Sequence, residues 1–114
     1  MAIQTAGQKN TLATAYGGAA TYGAVYTTTP GASAGTEPSG GSPAYARKAL
    51  SWGAPSNGVI TASATFDIPA STTIVGAGVH TAVTAGTYLD GASVTSQAFA
   101  SQGTYTVTFT FTLT

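Results

Sequence analysis

The sequence predicts an all-β protein: a compact antiparallel β-sandwich or jelly-roll-like barrel with a short N-terminal helix. Two observations carry this. From Thr104 to Thr114 every second residue is Thr, with Tyr105, Val107, Phe109, Phe111 and Leu113 between them. That period of two places apolar groups on one face and hydroxyls on the other, using residue types that favour strands. Segments of the same kind recur every 10–15 residues or so, separated by Gly, Pro and Ser turns, as in sandwiches and barrels. The chain has 114 residues, so a single β-domain over residues 1–114 is expected.

The elements follow in order. Residues 1–20 read as a short helix or arm. Thr5 to Ala15 contains helix formers, with Ile3, Ala6, Leu12, Ala13 and Tyr16 as apolar contacts, and Gly17-Gly18 ends it. Tyr22 to Thr27 reads as a strand. Residues 28–43 form a long Gly/Ser/Pro loop, a length that in small domains is usually functional or disordered. Ala44 to Trp52 reads as a strand. Pro55-Ser56-Asn57-Gly58 is a turn signal, because Asn-Gly tolerates positive φ. This turn predicts a hairpin between 44–52 and the next strand.

That next strand, Val59 to Ile68, alternates cleanly: Ile60, Ala62, Ala64, Phe66 and Ile68 share one face. Pro69, which has no N–H for a ladder, ends it. Thr72 to Val83 is a further strand, and its Gly76 and Gly78 mark a place where a backbone or a bulky ring packs close. Thr84-Ala85-Gly86 is a turn. Thr87 to Val94 is a strand broken by a bulge or tight turn at Asp90-Gly91, and Gln97 to Phe99 is a short strand or connector. Ser101-Gln102-Gly103 turns into the last strand. The Thr face of that strand is either solvated or lines an interface where hydroxyls pair across strands.

Charge is scarce. Three basic and three acidic residues make 5% of the chain and cancel. They are Lys9, Arg47, Lys48, Glu37, Asp67 and Asp90, with His80 the one histidine. Nucleic-acid binding by counterion release needs clustered cations, so none is expected. With no cysteine, a disulfide-stapled fold is excluded. One His and three scattered carboxylates make no convincing metal site, and no cofactor motif is present: the Gly17-Gly18 and Gly40-Gly41 pairs lack the partners of a phosphate loop. No apolar run is long enough for a membrane-spanning helix. Met1-Ala2-Ile3-Gln4-Thr5 lacks the pattern of a signal peptide, so none is expected.

No catalytic residues are expected. His80 would need a nucleophile and an orienting carboxylate, and Asp67 and Asp90 qualify by type alone. A strand histidine satisfied locally is the simpler reading, and Asp67 and Asp90 suit strand ends and turns. Arg47 and Lys48 point to opposite faces of their strand, Arg47 with Tyr45 and Ala49, Lys48 with Leu50 and Trp52. Glu37 is the acid nearest to Arg47 in the chain. A bidentate Arg47–Glu37 pair could tie the long loop to the sheet, within or between subunits; an exposed arginine is the alternative.

Several segments in a fixed order carry a resemblance. They are Tyr26-Thr27-Thr28-Thr29-Pro30-Gly31, Gly35-Thr36-Glu37, Ser39-Gly40-Gly41-Ser42 and Tyr45-Ala46-Arg47, then the strand ending in Trp52. Pro69-Ala70-Ser71-Thr72-Thr73-Ile74, Gly86-Thr87-Tyr88-Leu89-Asp90-Gly91 and Gln102-Gly103-Thr104-Tyr105-Thr106-Val107 follow. Together they resemble a family of small virion proteins of tailed bacteriophages, chiefly those of actinobacteria, over nearly the whole chain. Relative to that pattern Pro43-Ala44 are inserted, and His80-Thr81 stand where the family carries Trp-Asp. Glu37, Tyr45 and Arg47 lie in the matching loop and strand, which makes them the candidate partner-interface residues.

The resemblance implies a non-enzymatic virion structural protein of the kind labelled tail fibre or minor tail protein. Size and a neutral, Thr-rich surface favour a capsid decoration (cement) protein bound outside the head shell, since a whole fibre needs a long shaft. The alternative is a minor tail or tail-fibre protein involved in host or glycan binding. Tyr22, Tyr26 and Tyr45 are its candidate sugar-stacking rings, although packing is the commoner role of a strand tyrosine. The expected partners are the major capsid protein or other virion subunits and further copies of the chain, for which a trimer would be natural. Neither nucleic acid nor membrane is expected as a partner. Synthesis in the host cytoplasm and a final place on the capsid surface or in the tail complete the expectation.

Overall fold

The computed structural model describes residues 3–113. Met1 and Ala2 of the expected arm, and Thr114 of the expected last strand, lie outside the described residues. One helix precedes six strands: α1 (Ala6–Ala19), β1 (Tyr22–Tyr26), β2 (Lys48–Ala49), β3 (Val59–Ile68), β4 (Thr72–His80), β5 (Tyr88–Phe99) and β6 (Gly103–Thr112). The strands form a four-stranded sheet in the order β2-β1-β4-β5 and a two-stranded sheet of β3 and β6. Every pairing is antiparallel. The fold is therefore the all-β sandwich that the alternation predicts, with principal extents of 47 × 22 × 22 Å.

The strands with clean period-two patterns form as expected. β3 buries Ile60, Ala62, Ala64, Phe66 and Ile68 in strict alternation and stops before Pro69. β6 pairs with it along its whole length, from Val59 opposite Thr112 to Ile68 opposite Gly103. The hydroxyl faces of the two strands meet: Ser63 Oγ lies 3.2 Å from Thr108 Oγ1, and Thr65 Oγ1 lies 2.9 Å from Thr106 Oγ1. Phe66, Ala64 and Ile68 pack against Val25, Ile74 and Ala77 of the opposing sheet, and this is the core. A fully buried phenylalanine such as Phe66 contributes about 1.5–3 kcal/mol.

Four expectations are corrected. The helix runs through Gly17-Gly18 to Ala19 rather than ending before them. Gly17 is absorbed because its missing side chain lets α1 settle on Trp52 and Ile60; a Cβ there would lie 3.1 Å from the indole. The expected strand 44–52 shrinks to Lys48–Ala49, and it pairs with β1 instead of forming a hairpin with β3. Side-chain bonds from Tyr45 and Arg47 hold this stretch where a ladder was expected. β4 ends at His80, three residues early. Finally, 88–99 is one strand, not two. Its irregularities sit at Leu89, beside the expected Asp90-Gly91 bulge, and at Val94–Ser96, where the register with β4 shifts.

The turns carry the conformations their residues favour. Asn57 and Gly58 adopt φ of 50° and 80° in the turn before β3. The long loop 28–43, which contains a cis Ser42-Pro43 bond, folds back over the outer face of the four-stranded sheet.

Candidate functional site

The loop lies on a strip of glycines. Tyr26, at the end of β1, covers Gly78, and Pro30 covers Gly76 and Gly91. A methyl group at Gly78 would meet the Tyr26 hydroxyl at 2.7 Å and the Asp90 carbonyl at 2.8 Å. The close approach that Gly76 and Gly78 announce is thus made by two rings. Tyr88 Oη donates to the Gly31 carbonyl (2.7 Å), and Thr27 N–H donates to the Thr36 carbonyl (2.7 Å). At the far end of the loop, Ser42 N–H donates to Gln102 Oε1, and Gln102 Nε2 donates to the Pro43 carbonyl.

Glu37 and Arg47 form the bidentate pair within the chain. Arg47 NH2 donates to Glu37 Oε2 at 2.8 Å, and Nε donates to Oε1 at 3.0 Å. The remaining guanidinium nitrogen donates to the carbonyls of Ala82 and Ala85, at 3.0 and 2.9 Å. One arginine therefore joins the loop, the β2 approach and the β4–β5 turn. Tyr45 Oη donates to Glu37 Oε1 (2.8 Å) and accepts from Val25 N–H (3.2 Å). Burial raises the Glu37 carboxyl, but the bonds from Arg47 and Tyr45 outweigh it and hold the group below its ordinary value. Burial, reinforced by the bond to Glu37, pushes the Tyr45 hydroxyl well above its ordinary value.

Beside this clamp, Tyr26 Oη and His80 Nε2 lie 2.6 Å apart, both buried. Burial, with Arg47 nearby, lowers His80, so the ring is neutral; burial raises Tyr26, so the phenol keeps its proton. The two groups share this hydrogen bond with no ionised partner in it. His80 is satisfied, as the sequence suggests, but by a residue 54 positions away. Asp67 lies near the end of β3, where its carboxylate takes Lys48 at 3.4 Å. Asp90 sits inside β5 rather than in a turn, exposed, and its Oδ1 accepts from the N–H of Gly91. Neither acid approaches His80 in an arrangement that would activate a nucleophile. No group of three metal-ligating side chains occurs among the described residues.

The three candidate sugar-stacking tyrosines differ in exposure. Tyr26 is buried and Tyr45 is held in the clamp against Phe66; Tyr22 is half-buried on β1. A second group of half-buried rings, which no local sequence pattern signals, joins α1 to β6. Tyr16 stacks on Phe111, with ring centroids 3.9 Å apart, and meets Trp52 edge-on at 6.2 Å. Trp52 Nε1 donates to the Ala20 carbonyl (2.8 Å), which anchors the segment after β2 beneath α1. These rings help line a groove of about 380 Å³ between β5 and β6, with part of β4 (Ala77 to Val79) in its wall.

A family model described as podophage GP4 fiber I protein gp80 matches residues 6–112. No curated protein and no solved structure matches the chain. The match runs from the start of α1 to the end of β6, and the chain belongs to this family of phage fibre proteins. It is a bacteriophage virion structural protein.

Proposed function

We propose that the protein is a non-enzymatic subunit of a tail-associated fibre, which binds other virion subunits through a neutral, hydroxyl-rich surface. The observation that carries this is the family match, which spans the whole sandwich and its helix. It shifts the balance from head decoration, which size and neutrality favour, to the fibre. The architecture supports a structural role. The loop's one charged group, Glu37, is spent with Arg47 on holding it against the sheet, and among the described residues no acid, base and nucleophile converge. Glu37, Tyr45 and Arg47 then serve a partner indirectly, by fixing the shape of the 28–43 loop that is presented to it.

Imaging particles made without this chain tests the proposal. Intact heads that lack a fibre are expected. Particles with complete fibres and unstable or leaking heads would restore the decoration reading.

A further inference from the structure

We propose that the groove between β5 and β6 seats a second copy of this chain, with Lys9 of one copy meeting Asp90 of the other. Three observations converge on that face.

The core is closed on one side and open on the other. The inward residues of β3 (Ile60, Ala62, Ala64 and Phe66) are 2%, 4%, 9% and 0% exposed. Their cross-strand partners on β6 (Phe111, Phe109, Val107 and Tyr105) are only half-buried. The outer half of the sandwich therefore lacks cover where β6 lines the groove.

The groove is bounded by strands with unused edges. β5 ends its sheet, β6 pairs with β3 alone, and the two do not pair with each other. They are 12 and 10 residues long. Long free edges over an apolar groove are the usual template for adding a strand from another chain.

Charge identifies the occupant. Arg47 pairs with Glu37 and Lys48 with Asp67. Of the six charged side chains this leaves one cation, Lys9 on α1, and one acid, Asp90, without an ion-pair partner among the described residues. Asp90 lines the groove. A partner for this face should be apolar, rich in strand edges and bear a single matching cation, and the chain itself has those features. A net charge of zero adds no repulsion between copies. The exposed pair adds little affinity, but a like charge placed opposite disfavours the pairing, so it sets register.

The inference deepens the fibre reading by naming one partner, and it rests on that reading only for its setting. A monomeric chain that is nonetheless found in fibres would sink the inference and leave the fibre assignment standing.

Sedimentation equilibrium of the full chain tests it, with Asp90→Lys, Lys9→Asp and the double variant beside it. Asp90 is exposed and Lys9 half-buried, and circular dichroism checks that each variant folds. Self-association of the parent is expected, weakened about tenfold or more in each single variant and restored in the double. A monomeric parent, single variants that associate like the parent, or a double variant no better than the singles overturns the proposal.

Discussion

The Tyr26 hydroxyl and His80 Nε2 are hydrogen-bonded across 2.6 Å in a buried layer between the four-stranded sheet and the 28–43 loop. Burial there, with Arg47 nearby, lowers the affinity of His80 for a proton and so favours the neutral imidazole.

A pH dependence of stability follows. The folded His80 titrates below its ordinary value of 6.5, so the unfolded chain takes up a proton first as pH falls. The contribution is fully present above about pH 6.5 and is lost as pH drops through the lower, folded value. Tm should therefore decline from pH 7 towards pH 5. In His80→Gln that part of the decline should disappear. An unchanged slope in the variant would show that His80 is not the group responsible.

The Glu37–Arg47 clamp should matter far more than the Lys48–Asp67 pair. The former side chains are 24% and 12% exposed and bonded at 2.8 Å, and Arg47 is left facing backbone carbonyls if Glu37 is neutralised. Glu37→Gln should cost about 2 kcal/mol, roughly 10 °C in Tm for a domain of this size. Lys48 is 38% exposed and its bond is 3.4 Å long, so Asp67→Asn should cost about 0.5 kcal/mol or less. Chemical denaturation of the two variants makes the comparison.

Three glycine-to-alanine variants should diverge. Gly18 has open space around it in the last helical turn, so alanine should stabilise by about 0.5–1 kcal/mol through helix propensity. At Gly17 the contact with Trp52 and Ile60 should cancel that gain. At Gly78 the methyl group would press on the Asp90 carbonyl and Tyr26, at a cost of about 1–3 kcal/mol. Thermal melts of the three, measured together, check the order.

Attachment to the virion should resist salt. With few exposed charges, raising ionic strength to about 1 M screens little that holds the subunit in place. Washing purified particles at increasing salt and blotting the pellet for this chain checks it. Retention is expected, and stripping would show that ion pairs dominate the contact.

What the sequence discloses depends on how local the cause is. β3 and β6 are legible almost to the residue, because alternation, Pro69 and the Asn57-Gly58 turn are neighbours in the chain. Gly76 and Gly78 announce a close ring without saying whose. Glu37 and Arg47 are close enough in sequence to be paired on paper. The failures are non-local. β2 looks like a long strand because Ala44 to Trp52 has strand composition, yet Tyr45 and Arg47 are drawn off by Glu37 and the β4–β5 turn. Trp52 closes a strand on paper and instead hydrogen-bonds Ala20 beneath α1. The stack of Tyr16 on Phe111 joins opposite ends of the chain, and no local pattern signals it.

The assignment to the fibre is tested most directly by gold-labelled antibody against this chain on intact virions, viewed by electron microscopy. Label confined to fibres at the tail is the predicted result. Label spread over the head shell, or none on the virion, would contradict it.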